Sequence, residues 1–356
     1  MRILITGAAG FVGISLAKFI SSATENVEIW GLDNLIRPGS HLNVSNLKEL
    51  GVNFLHGDIR EASDLENLPD VDFVIDAAAN ASVLAGIDGK TSSRQLVEHN
   101  LQGTINMLEY CKKVGAGFIL LSTSRVYSIP PLANLKVEES EGAFIPVAEQ
   151  SFPTGLSVKG VSEDFDTKPP VSLYGSTKIA SEYLALEYGE SFDLPVWVNR
   201  CGVMAGPGQF GHPAQGIFAF WVHSFAEKSA LKYIGFEGNG YQVRDCLHPF
   251  DLGRLLIQQI AEPLQTDKPR LINVSGGIEN SMSLSQLTDW SSDRFQPMQI
   301  EKQSEDRKFD IPWMVLDNSN ALNTWGWTPK FSVEEILEEI AGHAERNPNW
   351  LSISKA

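Results

Sequence analysis

Short apolar runs alternate with segments of helical periodicity through the first half of the sequence. The apolar runs are continuous, which is typical of strands that are covered on both faces. Because strands and helices alternate, the strands are expected to run parallel, joined by right-handed crossovers. The sequence therefore predicts an α/β fold with a doubly wound parallel sheet. The predicted strands are residues 2–6, 27–32, 53–55, 72–78, 117–122 and 196–201, and the predicted helices are residues 11–20, 95–114 and 174–188.

Three glycines follow the first predicted strand and open the first predicted helix. At Gly7, Gly10 and Gly13, the missing Cβ atoms allow the backbone to turn tightly and approach a pyrophosphate. The start of the helix offers free N–H groups and a partial positive charge to the same group. The alternative is a strand–helix turn with incidental glycines. The position between a strand and a helix favours a dinucleotide site of the Rossmann type.

An acidic residue, Asp33, lies about 20 residues after Gly13, at the end of the second predicted strand. A carboxylate there can accept hydrogen bonds from both adenosine ribose hydroxyls and would repel a 2′-phosphate, so NAD is predicted rather than NADP. Arg37 weakens the argument against NADP and is also assigned to the cofactor site. Asp58 and Ile59 follow the third strand and are placed at the adenine edge, with a turn aspartate as the alternative.

After residue 202 the alternation of predicted strands and helices becomes irregular, because clusters of glycine and proline interrupt it. We expect a cofactor-binding domain over residues 1–202, with an insert at 129–173 and returning segments at roughly 240–275. A smaller, interleaved α/β domain over residues 203–239 and 276–356 is expected to bind the substrate. The insert has weak periodicity and is predicted to belong to the substrate pocket, because long loops are uncommon unless functional. Further helices are predicted at residues 214–228, 249–261 and 333–344.

The 356 residues carry a formal net charge of −16, and 43% of them are hydrophobic. This acidic, globular composition argues against nucleic acid and anionic membranes as partners. No run approaches the roughly 18 apolar residues of a membrane span. Cys111, Cys201 and Cys246 have neither disulfide nor metal-ligand spacing, so no metal is expected. Without a signal-peptide pattern, these features predict a reducing, cytoplasmic location.

Tyr174 and Lys178 are four residues apart in a predicted helix, so their side chains share one face. The pair suits acid–base chemistry, because a nearby ammonium group is expected to lower the pKa of a phenol. A hydroxyl at the end of the 117–122 strand would hold the substrate oxygen, and Thr123 and Ser124 are the candidates. Such a Tyr–Lys pair often occurs by chance, but together with the glycine loop it indicates a catalytic centre.

These motifs resemble the extended short-chain dehydrogenases/reductases of the nucleotide-sugar epimerase/dehydratase group. The similarity extends from Thr6-Gly7 to residues 325–329, Trp-Gly-Trp-Thr-Pro. It implies bound NAD, a tyrosine base assisted by lysine and Thr or Ser, and a homodimer or higher homo-oligomer paired through helices such as 95–114 and 174–188. In the family the Thr or Ser lies three residues before a Val-Tyr pair, here Val126-Tyr127, which selects Thr123. The residues assigned to the cofactor are Gly7, Gly10, Phe11, Val12, Gly13, Asp33, Asn34, Arg37, Asp58, Ile59, Ala77, Ala78, Ala79, Asn100, Ser122, Tyr174 and Lys178.

The stretch from Thr123 to Tyr127, Thr-Ser-Arg-Val-Tyr, bears on the reaction. In the dehydratases of the family the corresponding stretch resembles Thr-Asp-Glu before Val-Tyr, and in the decarboxylases it resembles Thr-Ser-Glu. Here Arg125 replaces the acid that both reactions need, whereas epimerisation needs no further acid. In the implied reaction a sugar carbon loses a hydride to NAD while Tyr174 takes the hydroxyl proton, and the hydride returns to the other face.

Several stretches are most similar to the CDP-paratose 2-epimerase (CDP-tyvelose epimerase) subgroup. They are residues 160–165, 206–210, 240–248 and 307–312. The resemblance implies inversion of C2 of a CDP-linked 3,6-dideoxyhexose through a 2-keto intermediate. Two departures stand out: Asp76 replaces the His of many relatives, and Cys201 and Gly202 follow Arg200 in place of the aromatic pattern of 4-epimerases.

Substrate phosphates need cations, and Arg244 and Arg307 are chosen because their forked donors match phosphate oxygens. The alternatives are an ion pair of Arg244 with Asp245 or Asp251, and a solvated charge run around Arg307. The residues assigned to the substrate are Ser124, Arg125, Gln209, Gln215, Gln242, Arg244 and Arg307.

Three classes of function follow. The first is an NAD-dependent nucleotide-sugar epimerase acting at C2, and the second is a 4-epimerase or a reductase/dehydrogenase on the same scaffold. A reductase would release its cofactor each turn, whereas an epimerase should retain NAD through purification. The third is a non-catalytic dinucleotide sensor, which would have no need of Tyr174 and Lys178.

Overall fold

The computed structural model describes residues 1–87, 89, 92–212, 215–263, 267–305 and 309–354. The strands are β1 (Arg2–Thr6), β2 (Glu28–Asp33), β3 (Asn53–His56), β4 (Phe73–Asp76), β5 (Gly117–Thr123), β6 (Val137–Ser140), β7 (Ala143–Pro146), β8 (Leu156–Ser157), β9 (Gly160–Val161), β10 (Val196–Cys201), β11 (Val203–Met204), β12 (Lys232–Ile234), β13 (Val243–Leu247), β14 (Leu271–Val274), β15 (Ser281–Ser283), β16 (Glu301–Gln303) and β17 (Trp313–Met314). The α-helices are α1 (Phe11–Ala23), α2 (Asn43–Glu49), α3 (Ala62–Leu65), α4 (Ser93–Val97), α5 (Gly103–Val114), α6 (Ile129–Ala133), α7 (Ser172–Phe192), α8 (Ile217–Glu227), α9 (Pro249–Ala261), α10 (Leu284–Arg294), α11 (Ser319–Trp325), α12 (Val333–Arg346) and α13 (Trp350–Ser354). Shorter 3-10 turns occupy Ser40–Leu42, Ser124–Val126, Phe236–Gly238 and Ile278–Asn280.

A seven-stranded sheet in the order β3-β2-β1-β4-β5-β10-β14 forms the centre of the molecule. Every pairing in it is parallel, which confirms the predicted doubly wound α/β fold. The strand order reverses between β1 and β4, so a crevice opens at the carboxyl ends of these two strands. A ligand of a doubly wound sheet is expected in that crevice.

Both faces of the central sheet are covered by helices. Ile3 and Ile5 of β1 pack in one core with α1 and α9, whereas Leu4 packs in a second core with α5 and α7. Successive strand residues point to opposite faces, so both sets must be apolar. This arrangement explains the continuous apolar runs in the sequence.

A second, smaller sheet contains β11, β13, β15 and β17. Helices α8 and α12 pack together beside it, with Phe218, Trp221 and Ile340 in their shared core. The predicted helix at 214–228 is Ile217–Glu227 in the structure, and Ala214 lies outside the described residues. No helix in the described part of the chain is both long and apolar enough to cross a membrane.

The helix predicted at 95–114 is divided into three parts. A π-helical segment, Glu98–Gln102, separates α4 from α5, and such segments are frequent at functional sites. Asn100, assigned to the cofactor site, lies in this segment. Gly103 follows it, and a Cβ there would lie 2.4 Å from Ile59 Cδ1. The helix therefore approaches Ile59 at a distance that only glycine allows.

The insert at 129–173 has more regular structure than its sequence indicates. It contains α6 and two antiparallel hairpins, β6–β7 and β8–β9. The second hairpin is attached to the remote segment before α11, because Val161 N donates to Val315 O at 2.8 Å. The prediction of an irregular segment was wrong because two-residue and four-residue strands are too short to produce a visible period.

Candidate active site

The glycine loop joins β1 to α1 at the carboxyl edge of the sheet. Gly7 has a φ of +64°, and a Cβ on it would lie 3.0 Å from Ala78 Cα. A Cβ on Gly13 would lie 2.2 Å from Gly7 O. The loop is therefore packed so closely that side chains are excluded, and it leaves a cradle at the start of a 13-residue helix. Phe11 and Val12 form the first turn, so a dinucleotide pyrophosphate fits these residues.

Asp33 ends β2 and lies directly beside this loop. Its carboxylate accepts hydrogen bonds from Ala9 N at 3.0 Å and Leu35 N at 2.7 Å. Burial raises the pKa of Asp33, and these backbone donors oppose the shift. The carboxylate is thus fixed by backbone N–H groups beside the glycine loop, and its role as a ribose partner stays a prediction.

Asp58 lies on the neighbouring loop and is held from two sides. Asn34 Nδ2 donates to it at 2.9 Å, and Arg60 forms an ion pair with it at 2.6 Å. Burial raises the pKa of Asp58, but the donors of Arg60 and Asn34 outweigh it and hold the value below its usual range. Asn34, Asp58 and Ile59 therefore lie near one another, as their common assignment requires.

Arg37 is oriented toward the second domain. Its guanidinium donates to Gln215 Oε1 at 2.9 Å and to Phe210 O at 2.8 Å. A residue assigned to the cofactor thus contacts one assigned to the substrate. Two of its donors are engaged by protein acceptors, which makes a 2′-phosphate partner less favourable at this position.

The loop after β4 carries Ala77, Ala78 and Ala79 next to the glycines. Thr6 Oγ1 accepts hydrogen bonds from Ala77 N and Ala78 N, both at 3.1 Å. Asn100 lies next to this loop, because its side chain is hydrogen-bonded to both the N–H and the carbonyl of Asn80. The residues assigned to the cofactor in the loops after β1 and β4 and in the π-helical segment therefore lie together.

The catalytic candidates meet at the end of β5. Thr123 is the last residue of that strand, and its side chain lies beside that of Tyr174 on α7. Lys178 lies one turn further along α7 and is 2% exposed. Ser124 begins the following 3-10 turn and is buried. The contact with Tyr174 agrees with the choice of Thr123.

The protonation of this pair differs from the sequence expectation. Burial raises the pKa of Tyr174 to about 12, opposed by the hydrogen bond from Thr123 and the charge of Arg125. Burial also lowers the pKa of Lys178, opposed by the carboxylates of Asp76 and Glu182. The expected lowering of the phenol pKa did not allow for the loss of solvent around the ring.

The hydroxyl of Ser122, a residue predicted to contact the cofactor, is engaged by a carboxylate of the protein. It donates to Glu182 Oε1 at 2.5 Å. Glu182 is fully buried and forms an ion pair with Arg200 at 2.7 Å. Sequence reasoning missed Glu182, although its spacing of four from Lys178 on one helix face is a detectable signal.

The residues assigned to the substrate lie in three places: Ser124 and Arg125 follow β5, Gln209 and Gln215 precede α8, and Gln242 and Arg244 lie at the start of β13. Gln209 and Gln242 are buried, and their side-chain oxygens have no hydrogen-bond partner among the described residues. Arg244 pairs with Asp310 at 2.9 Å, not with Asp245 or Asp251. Arg307 lies outside the described residues. No group of three or more His, Cys, Asp or Glu in the described ranges is arranged to hold a metal ion.

The crevice and the glycine cradle fit a dinucleotide, and the buried Tyr174–Lys178 pair lies at the same edge of the sheet. The model of the NAD dependent epimerase/dehydratase family matches residues 3–275. The chain belongs to this family, and NAD is its cofactor. The confirmed class is thus an NAD-dependent enzyme of the nucleotide-sugar epimerase/dehydratase type.

Individual relatives extend over nearly the whole chain. The CDP-paratose 2-epimerase of Salmonella typhi is 31% identical over 360 residues, covering 96% of this chain and 98% of that protein. The UDP-glucuronate 4-epimerase of Thermodesulfobacterium geofontis is 28% identical, covering 97% and 96%. Among solved structures, the UDP-glucuronic acid 4-epimerase from Bacillus cereus in complex with UDP-glucuronic acid and NAD has a TM-score of 0.76 and 26% identity, covering 97% of this chain and 99% of that chain.

Proposed function

We propose that this enzyme epimerises a nucleotide-linked sugar, inverting C2 of a CDP-3,6-dideoxyhexose of the CDP-paratose to CDP-tyvelose type through a transient keto intermediate. The observation that carries the proposal is the buried Tyr174 facing Thr123 at the end of β5, with Arg125, not an acid, beside it. An elimination would need an acid at that place, whereas epimerisation does not. The 31% identity with a CDP-paratose 2-epimerase over both chains supports the choice of base and carbon.

The side chains divide the proposed reaction among them. Bound NAD supplies reversible storage of a hydride. Tyr174 takes the proton from the hydroxyl of the carbon that is oxidised, and Thr123 holds the same oxygen. Lys178, when charged, favours the phenolate form of Tyr174. After the keto sugar turns in the site, Tyr174 returns the proton as the hydride returns to the other face, so no net oxidation results.

The nucleotide part of the substrate is assigned to the loop before α8 and to the start of β13. The buried oxygens of Gln209 and Gln242 lack partners among the described residues, and a buried acceptor without a partner is costly. Donors on a base or ribose would satisfy them. Arg244, oriented by Asp310, and Arg307 are proposed to face the diphosphate. These assignments and the domain division at residue 202 remain proposals.

A 4-epimerase is the second candidate. It is favoured by the UDP-glucuronate 4-epimerase relative and by the similar solved structure. Both candidates use the same tyrosine and lysine, so the carbon that is inverted distinguishes them.

The deciding experiment is a thermal-shift screen of CDP-, UDP-, GDP- and dTDP-sugars, followed by product NMR. A ligand at 100 times its dissociation constant adds about 2.7 kcal/mol to the stability of the protein. We expect CDP-sugars to give the largest shift and NMR to show inversion at C2. Inversion at C4, or no response to any CDP ligand, would overturn the specific assignment.

Isotope labelling tests the keto route independently. If the hydride is stored and returned, the product formed in D2O carries no deuterium at the inverted carbon. Tyr174→Phe should abolish turnover while NAD remains bound. Deuterium incorporation, or normal turnover by Tyr174→Phe, would exclude the mechanism.

We further propose a cytoplasmic homodimer or higher homo-oligomer. Helix α7 carries Leu173, Tyr183 and Phe192, all more than 40% exposed. Large apolar side chains exposed along one helix are typical of an interface. Light scattering of the purified protein tests this, and a monomer at micromolar concentration would contradict it.

A further inference from the structure

Asp76 is a fully buried carboxylate at the carboxyl end of β4. Its two oxygens accept hydrogen bonds from two threonines on different elements. Thr6 Oγ1 donates to Oδ1 at 2.7 Å, and Thr104 Oγ1 lies 2.9 Å from Oδ2. Within the described residues, no Lys, Arg or His lies within 4.0 Å of it to form an ion pair. Burying a carboxylate without a cation is costly, so a role for its hydrogen bonds is expected.

The hydrogen bond of Asp76 with Thr6, here called the first arm, leads to the glycine loop. Thr6 immediately precedes Gly7, and its hydroxyl also accepts the N–H groups of Ala77 and Ala78. The close approach of Gly7 to the backbone of Ala78 depends on this arrangement. Asp76 therefore orients the hydroxyl that joins the two loops around the cofactor cradle.

The hydrogen bond of Asp76 with Thr104, here called the second arm, leads to helix α7. Thr104 Oγ1 lies 3.1 Å from the carbonyl oxygen of Asn100, which also accepts from Ser181 Oγ at 3.0 Å. Asn100 Nδ2 donates to Thr177 Oγ1 at 3.3 Å. Thr177 and Ser181 lie on α7 on either side of Lys178. The single proton of the Thr104 hydroxyl is shared between the Asp76 carboxylate and the Asn100 carbonyl, and Asn100 is in turn hydrogen-bonded to the helix that carries the catalytic pair.

We propose that Asp76 is a positioning residue that couples the pyrophosphate loop to helix α7 through Thr6 and Thr104. Asp76 does not touch the reacting atoms. It sets the distance between the cradle, where one end of the cofactor binds, and the side chains that act on the substrate. The second arm rests on the proposed function, whereas the first arm concerns NAD binding alone.

Other charged groups around Lys178 do not perform this role. Glu182 faces Lys178 from the same helix, but Arg200 holds it with three hydrogen bonds. Cys201 faces Lys178 from β10, and burial raises the pKa of this thiol to about 12, so it is neutral. Asp76 is thus the carboxylate near Lys178 that is held by hydroxyl groups and not by a guanidinium.

The test compares Asp76→Ala with Asp76→Asn. The asparagine keeps an oxygen for Thr6, and its amide can donate to Thr104, so the hydrogen bonds persist without the charge. Asp251→Asn is the control for a buried carboxylate on another element, because Asp251 is fully buried at the start of α9, accepts backbone N–H groups of Lys330 and Phe331 and pairs with Arg254. NAD affinity is measured by titration calorimetry after removal of bound cofactor, and folding by circular dichroism.

We expect Asp76→Ala to weaken NAD binding by about tenfold, as for loss of a buried acceptor. Asp76→Asn should restore the affinity to within about twofold, and Asp251→Asn should leave it unchanged. Equal effects of Asp76→Ala and Asp251→Asn would overturn the proposal, as would an asparagine variant no better than alanine. These readouts do not require turnover, so they are independent of the substrate assignment.

The two arms are separated by Thr6→Val and Thr104→Val, which keep the side-chain shape. Thr6→Val should weaken NAD binding, whereas Thr104→Val should lower kcat with little change in NAD affinity. If Asp76→Ala does not fold, the proposal is tested by the NAD affinity of Asp76→Asn and the kcat of Thr104→Val. Unchanged kcat in Thr104→Val, with an active parent enzyme, would overturn the second arm.

Discussion

The hydroxyl of Ser122 and the carboxylate of Glu182 are 2.5 Å apart, and this contact sets the register of helix α7 against strand β5. Ser122 is adjacent to Thr123, and Glu182 lies about two turns beyond Tyr174 on α7. A shift of the helix along the strand would therefore separate Thr123 from Tyr174. Arg200 on β10 forms an ion pair with the same carboxylate, so contacts with both β5 and β10 fix the position of α7.

Glu182→Gln should destabilise the protein strongly, because it leaves the Arg200 guanidinium buried without its counter-charge. Breaking a buried pair in this way costs about 3–5 kcal/mol. Urea unfolding measures the loss. The exposed pair of Arg294 and Glu338 provides the control, and Glu338→Gln should cost less than about 1 kcal/mol. Similar losses in the two variants would contradict the assigned role.

Arg125→Met should shift the acid limb of the kcat–pH profile to higher pH. The charge of Arg125 lowers the pKa of Tyr174, which burial raises to about 12. Under the proposed mechanism the phenolate of Tyr174 is the base, so turnover should rise with pH below that pKa, and removal of the cation should move the rise to higher pH. Arg125→Lys retains the charge and should keep the limb near its original position. An unchanged profile in Arg125→Met would count against this interaction.

Gly13→Ala should impair NAD binding and cost about 1–3 kcal/mol of stability through overpacking. The added Cβ would lie 2.2 Å from Gly7 O, a backbone atom within the cradle. Gly342 is the control, because it lies in α12 and its added Cβ meets only the flexible end of Arg346. Gly342→Ala should be neutral or stabilising, since alanine favours helices. Calorimetry and thermal melting measure both variants, and normal NAD affinity in Gly13→Ala would refute the packing argument.

Stability should fall as the pH drops from 6.5 toward 4 because of a histidine pair between α8 and α12. His343 Nδ1 and His223 Nε2 are 3.3 Å apart. Burial lowers the pKa of His223 to about 3 and of His343 to about 4. The unfolded state binds more protons in this range, so stability is present above pH 6.5 and lost below it.

The expected loss at pH 5 is on the order of 2 kcal/mol for each histidine. Melting temperatures between pH 7 and pH 5 measure it. A His223→Gln variant should show a weaker dependence than the parent protein. A slope equal in parent and His223→Gln would show that other groups control acid sensitivity.

The sheet was predictable because its strands are apolar on both faces. Strands β1 and β10 have the predicted bounds, and the glycine loop lies where its spacing placed it. The pairs Ser122–Glu182 and Thr6–Asp76 were not predictable, because each joins residues that only the fold brings together. The buried environment that raises the pKa of Tyr174 is likewise a property of the packed structure.

The order in which the strands enter the two sheets has a consequence during synthesis. Edge strand β14 joins β10 only after β11, α8 and β13 have been made. Until residue 274 has left the ribosome, one edge of β10 presents unpaired N–H and C=O groups to solvent. A nascent chain that stops near residue 202 would therefore expose an unpaired strand edge that can pair with other chains. The central sheet is completed only after β11 and β13 of the second sheet have been synthesised.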